Sequence, residues 1–147
     1  MIFLPEDKKQ NILKILQTCH FGVIATNSQN GLAPESAVVA FSYTENLEII
    51  FGSFITTRKN INIQNNPKVS FVIGWDNTNK TTIQVEGNAI LLESEERIKV
   101  QEEHCRRNSE SKKYINDPRQ QYFKVVPYWI RYSNFSTNPQ EVWEVKV

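Results

Sequence analysis

The hydrophobic and polar positions of this chain divide it into about seven strands and two or three helices. The pattern is sharpest between Phe51 and Trp75. Leu47–Phe51 (LEIIF) is apolar and β-branched, as a buried strand requires. Gly52 and Ser53 break that run. Thr56 and Thr57 are placed to cap a helix that begins at Arg58 and Lys59 and carries Ile61. Asn65, Asn66 and Pro67 stop it, because the residue before a proline is pushed out of the α region. Val69–Ile73 then resumes as a strand.

On the N-terminal side, Pro5 suits a first helical turn, and Glu6 and Asp7 favour its positive end. Ile12, Ile15, Leu16 and Cys19 share one face of an amphipathic helix that runs to about Gln17, and His20 follows as a capping or packing residue. Phe21–Thr26 reads as a strand, Asn30-Gly31 as a hairpin turn tolerant of positive φ, and Leu32–Ser42 as the returning strand, with Pro34 placing its start at a sheet edge. A turn at Thr44–Asn46 leads into Leu47–Ser53. Beyond Trp75 comes a polar loop, DNTNK, and then a long strand, Thr81–Glu93, in which Gly87 marks a bulge or sharp bend of the kind barrel closure needs. Ser94 is placed to cap a helix to about Arg107, with Glu95 and Glu96 in its first turn and Ile98 and Cys105 on its apolar face. His104, within the charged run EEHCRR, reads as solvated. Asn108–Gln121 reads as loop with a helical turn, and Val125–Tyr132 and Glu141–Val147 as the last two strands. Runs of strands without βαβ alternation place the chain in the α+β class. The expected fold is a mostly antiparallel six- to eight-stranded split β-barrel with two or three flanking helices, spanning residues 1–147 as one domain.

Composition narrows the partners. Lys plus Arg number 17 against 16 Asp plus Glu, a net charge of +1. A general nucleic-acid binder carries a larger basic excess, so a small-barrel nucleic-acid module is disfavoured, although exposed aromatic residues could stack bases. No apolar run is long enough to span a bilayer, and MIFLPEDKKQ lacks a secretory pattern. Two cysteines, Cys19 and Cys105, make no disulfide framework. The expected compartment is the cytoplasm. No ligand spacing points to a metal site.

The chemistry concentrates where the central helix starts. Thr57, Arg58 and Lys59 bring a hydroxyl, a guanidinium and an ammonium to free backbone N–H groups, which is the composition of an anion site. A capped surface helix with two solvated cations is the plain alternative.

The order strand, Gly-Ser, Thr-Arg-Lys, Asn-Asn-Pro-Lys-Val-Ser, Gln-Val-Glu-Gly resembles the pyridoxamine 5′-phosphate oxidase-like family of FMN-binding split barrels. The resemblance is closest over Thr57–Ser70, good over roughly Phe21–Glu93 and looser in the C-terminal third. PESAVV and PYWIRYSNF are similar to a bacterial subgroup of that family. The resemblance implies a homodimer with FMN in clefts between subunits. Thr57, Arg58 and Lys59 would hold the phosphate. Ala37, Val38 and Val39, with Phe51, Gly52 and Ser53, would line the flavin. Thr82 and Gln84 would approach it from the partner's long strand, and their side chains share one strand face. The vitamin B6 oxidases carry basic residues at both ends of the strand matching Ala37–Ser42. Here both ends are uncharged, which argues against oxidation of pyridoxamine phosphate. The implied function is an FMN-binding oxidoreductase acting on a small-molecule substrate or electron donor, with no catalytic side chain evident. The alternatives are a non-catalytic flavin carrier or sensor and, more remotely, a haem-handling split barrel using His20 or His104.

Overall fold

The computed structural model describes residues 3–146. The elements are α1 (Glu6–Thr18), β1 (Phe21–Asn27), β2 (Pro34–Tyr43), β3 (Ile49–Phe54), α2 (Arg58–Asn65), β4 (Lys68–Gly74), β5 (Thr81–Leu91), α3 (Ser94–Arg107), a 3-10 turn (Ser109–Tyr114), β6 (Gln120–Asn134) and β7 (Glu141–Lys146). The strands form one antiparallel sheet in the order β3-β2-β1-β4-β5-β6-β7. A further pairing of β3 with β6 closes the first six into a barrel and leaves β7 as an added strand. This is the expected α+β split barrel.

Strand alternation fills the barrel. Ile24, Phe41, Phe51, Phe71, Ile83, Phe123, Val125 and Ile130 point inward and are essentially inaccessible. Phe51 stacks on Phe123 with ring centres 5.5 Å apart and tilts against Phe71. Each such side chain contributes about 1.5–3 kcal/mol through burial. The α1 helix adds Ile12, Ile15 and Leu16 to the same core. That helix carries no basic residue in its last turn. The missing cation comes from α3, whose Arg107 guanidinium donates to the carbonyls of Leu16, Gln17 and Cys19 at the α1 C-terminus and to Phe41 of β2. Those carbonyls have no partner within the helix, and a positive charge there also meets the negative end of the dipole.

The expected bend at Gly87 is present. The β5–β6 register shifts between Glu86 and Gly87, with Pro127 opposite. A Cβ at Gly87 would lie 2.5 Å from the Val126 carbonyl oxygen, and a proline without an N–H is tolerated at such a bulge. Pro34 does begin β2 where its β3 side is unpaired.

Several local expectations are corrected. Leu47 lies in a turn with positive φ, its N–H bonded to the Thr44 carbonyl, so β3 starts two residues later. Thr57, not Thr56, caps α2 and accepts from the Asn60 N–H. Ser94 has positive φ and caps nothing; Glu93 stands at the α3 N-cap without a side-chain bond. Ile98 is 59 % exposed, so the apolar face expected from Ile98 and Cys105 is not the buried one. β6 begins at Gln120, five residues before the expected strand start at Val125, because it pairs with the whole of β3. Val147, the end of the expected last strand, lies outside the described residues. No helix among the described residues is long and apolar enough to cross a membrane.

Candidate functional site

The barrel is split between β2 and β3. Those strands pair only through Phe41–Tyr43 and Ile49–Phe51. Past that point Gly52–Phe54 stays with β6, while Val38–Ala40 has β1 on one side and no β3 partner on the other. Phe41 donates its N–H to the His20 carbonyl on the β1 side. Backbone direction alternates along an antiparallel strand, so the polar groups of Val38 and Ala40 face the gap. A cavity of about 370 Å³ occupies it, lined by β2 (Val38–Ala40), β3 (Gly52–Phe54), Thr57, Lys59, His104, Ser111, Tyr114, Gln120 and Tyr122.

One wall of the cavity is a hydroxyl and ammonium cluster. Ser53 Oγ and Thr57 Oγ1 are 2.8 Å apart, and Thr57 also donates to the Phe54 carbonyl. Lys59 follows at the second helical position. It forms no ion pair among the described residues, and burial pushes its ammonium below the usual lysine range. A half-buried cation without a counter-charge is an unfavourable arrangement that an anionic ligand relieves. Arg58 behaves differently. Its Nε lies 2.9 Å from Glu35 Oε2, and its side chain is 72 % exposed. Asn62 also donates to Glu35 Oε2 at 2.7 Å and to Thr26 at 3.0 Å, so Glu35 is held on that side of α2.

Of the residues expected from sequence, Val38, Val39, Gly52, Ser53, Thr57 and Lys59 line this one cavity. Ala37 packs against the core just outside it, and the Phe51 ring is wholly in the core. Arg58 stands at the rim side, on Glu35. Thr82 and Gln84 lie on β5, away from the cavity of their own chain. Gln84 sits opposite Val72 of β4, which sits opposite Val23 of β1, which sits opposite Val38 of β2. Val38 is 69 % exposed, and Val23, Val72 and the neighbouring Phe21 are exposed too. An apolar row therefore crosses the outer face of the sheet from the cavity's edge to Gln84.

The opposite wall was not foreseen. His104, expected to be solvated, is 2 % exposed and lines the cavity. Its Nδ1 is 3.0 Å from Ser42 Oγ and its Nε2 3.5 Å from Ser111 Oγ, and its ring meets Tyr122 edge-on. Burial, with a smaller contribution from the Arg107 charge, pushes the imidazole down to about 4, so it is neutral at physiological pH. Burial, and then Cys105, pushes the Tyr122 phenol up to about 12. The helix face carrying His104 was hidden because polar Arg97, Gln101, His104 and Asn108 share it with Val100, only His104, Cys105 and Asn108 being fully buried. At the mouth of this wall a Cβ on Gly52 would lie 2.2 Å from Gln120 Nε2, the free end of a side chain that would have to move aside.

A larger depression, about 440 Å³, lies between α1 and the β4–β5 turn. There Lys14 shares the lining with Asp76 and Glu141, so the anion-seeking character of the first cavity is absent. Among the described residues no three His, Cys, Asp or Glu side chains gather as a metal site.

Residues 9–134 match the family model described as pyridoxamine 5′-phosphate oxidase. No curated protein matches the chain. Among solved structures, the General Stress Protein 26 from Bacillus anthracis str. Sterne is 24% identical with a TM-score of 0.74, covering 94% of this chain and 98% of that one. A pyridoxamine 5′-phosphate oxidase-related, FMN binding protein from Nostoc punctiforme PCC 73102 is 13% identical with a TM-score of 0.69, covering 99% and 98%. A heme binding protein from Mycobacterium smegmatis is 13% identical with a TM-score of 0.84, covering 97% of this chain but 59% of that longer one. At these identities the likeness is one of fold.

Proposed function

The chain belongs to the pyridoxamine 5′-phosphate oxidase family, and from that membership we propose that it binds FMN in the β2–β3 cavity and serves as a flavin-dependent oxidoreductase for a small molecule. The observation that carries this is Lys59: a half-buried, unpaired ammonium beside the Ser53 and Thr57 hydroxyls, at the edge of a gap that bares strand backbone. These groups fit a flavin nucleotide. Lys59, Thr57 and Ser53 would take the phosphate. The backbone of Val38 and Ala40 would meet the polar edge of the ring, and Val39 and Phe54 would supply apolar wall. Each charge-assisted bond to the phosphate contributes about 1.5–3 kcal/mol. The helix dipole adds about 0.3–1 kcal/mol, so direct bonding dominates. Arg58 would join by swinging its free guanidinium nitrogens from the Glu35 side. The bound flavin supplies the hydride chemistry; the chain supplies binding, orientation and a dry wall.

The substrate differs from that of a vitamin B6 oxidase, since Ala37 and Ser42 bring no charge to either end of the β2 segment. A second copy of the chain would cover the apolar row of Val38, Val23 and Val72. In a two-fold dimer it would carry Thr82 and Gln84 of each subunit toward the other's cavity. Both cysteines are free thiols, which suits a cytoplasmic protein.

The test is the absorption spectrum of freshly purified protein, with mass spectrometry of whatever denaturation releases and an FMN titration of the stripped protein. A flavin spectrum, or quenching of FMN fluorescence at micromolar protein, is the expected result. A colourless protein that leaves FMN fluorescence unchanged overturns the assignment. Sedimentation of a clean monomer at micromolar concentration overturns the shared cleft.

A further inference from the structure

The two cations at the start of α2 stand in opposite states. Lys59 lines the cavity and has no counter-charge among the described residues. Arg58 lies outside the lining and already carries one, with its Nε 2.9 Å from Glu35 Oε2. The two members of that pair are held very differently. The Arg58 side chain is mostly exposed and makes no other ion pair among the described residues. The Glu35 side chain is largely sheltered, and the same oxygen accepts from Asn62 Nδ2 at 2.7 Å. Asn62 donates in turn to Thr26 Oγ1 at 3.0 Å, and both of these residues are buried.

That asymmetry decides which partner moves. Glu35 sits on β2, Thr26 pairs with it from β1, and Asn62 comes from the second turn of α2, so three elements fix the carboxylate. Moving Glu35 would strip the buried Asn62 amide of one acceptor, which is strongly unfavourable. Moving Arg58 exchanges an exposed ion pair for water, which costs little. An anion arriving at Lys59 therefore meets one permanent cation and one conditional cation. The conditional one answers only to a group that outcompetes a carboxylate for a guanidinium. A phosphate monoester does this, with two negative charges and oxygens that match the guanidinium fork.

We propose that Glu35 is a positioning residue that holds Arg58 in reserve and so sets how strongly the site favours a phosphorylated flavin over an unphosphorylated one. It touches no ligand and acts through Arg58. Removing its charge frees the guanidinium and sharpens that preference. The identity of the ligand rests on the flavin reading; the release of Arg58 by an oxyanion rests on the ion pair and its anchors alone.

FMN and riboflavin differ only by the phosphate. The stripped, full-length protein is titrated with each by flavin fluorescence, unmutated and as Glu35→Gln, Arg58→Ala and the double variant. The glutamine oxygen still accepts from Asn62. Freeing one exposed pair corresponds to roughly twofold to fivefold in affinity. Glu35→Gln should tighten FMN by that factor, leave riboflavin unchanged, and have no effect on FMN in the Arg58→Ala background. FMN affinity unchanged or lowered by Glu35→Gln overturns the proposal, as does a gain that riboflavin shares or that survives in the double variant. The pair is also read in ¹⁵N-labelled unmutated protein, so the test survives a Glu35 variant that does not fold. The Arg58 Nε–Hε signal, identified by its absence from Arg58→Ala, should move when FMN or inorganic phosphate is added and hold still with riboflavin. A signal that ignores both anions, or follows riboflavin equally, overturns the proposal. Movement with inorganic phosphate in a protein that binds neither flavin would remove the flavin and leave the release of Arg58.

Discussion

Lowering the pH should destabilise this protein ahead of its carboxylates, and His104 is the reason. In the unfolded chain this imidazole takes up a proton near 6.5, whereas in the folded cavity wall it does so only at about 4. Between those values the unfolded state binds the proton and the folded state refuses it. Stability therefore falls as pH falls, is whole above 6.5, and is lost progressively toward 4. The gap, at about 1.4 kcal/mol per pH unit, amounts to about 3 kcal/mol, a large share of the roughly 5–15 kcal/mol that holds a typical domain. The Tyr122 phenol, against which the ring packs, titrates far above this window. Carboxylates begin to titrate at the lower end, so a single curve is not diagnostic. The assay is urea unfolding at steps from pH 8 to pH 4 on the unmutated protein and on His104→Gln, which cannot titrate. The difference between the two stability curves isolates the histidine. It should decline by about 3 kcal/mol toward pH 4, the unmutated protein losing more. A flat difference would mean that the ring is hydrated or already charged, and a difference of opposite sign would mean that an unseen acid pairs with it.

Lys59→Ala should weaken FMN binding by roughly tenfold to a hundredfold, the worth of one charge-assisted bond. Its midpoint in urea should barely move, since the ammonium stabilises nothing in the ligand-free protein. Arg58→Ala should weaken FMN less, because its guanidinium is already engaged by Glu35, and an exposed pair of that kind is worth about 0–1 kcal/mol to the fold; unchanged FMN titrations in both variants would contradict the phosphate assignment. Gly52→Ala should displace the Gln120 side chain, whose Nε2 would sit 2.2 Å from the new Cβ. The flavin affinity should fall more than the stability does, and a crystal structure showing Gln120 unmoved would refute the cause.

The barrel was legible because its strands alternate and its breakers are chemically unambiguous. Pro67 ends α2 and Gly87 bends β5 as their chemistry requires, while of Asn30-Gly31 only Gly31 takes positive φ and Asn30 instead accepts from the Leu32 N–H. The cavity lining at the start of α2 was legible for the same reason: Thr57 is a strong capping residue, and it and Lys59 line the one cavity. The rest of the lining was not. It depends on which strand β3 follows once it leaves β2, a long-range choice that no local pattern encodes. β6 wins because Gln120–Val125 offers a full register to Ile49–Phe54, yet Gln120, Gln121 and Tyr122 look like the end of a polar loop. His104 was missed through the same bias toward aliphatic periodicity. A stripe at 97, 100, 101, 104 and 108 has helical spacing, and the polarity of all but Val100 made it look solvent-facing. Of the hydrogen-bonding partners that permit the burial of His104, Ser42 lies 62 residues away on β2 and Ser111 in the 3-10 turn just after the helix.

The split itself is the feature that explains why a site exists here. In a fully paired barrel the backbone of Val38 and Ala40 would be spent on a neighbouring strand, and the wall would present only side chains. Because β3 diverts to β6, those groups remain open to solvent, satisfied by water at little cost in the free protein. A ligand with a complementary polar edge replaces that water without breaking any protein–protein bond. Exposed Val38 can change its side chain without removing those backbone groups. The arrangement is sensitive at Gly52 and along the β3–β6 register, where geometry alone keeps the gap from closing. Changes that let Gly52–Phe54 zip onto Val38–Ala40 would therefore close the gap while making the barrel more complete, and the binding proposed for it should be lost with the gap.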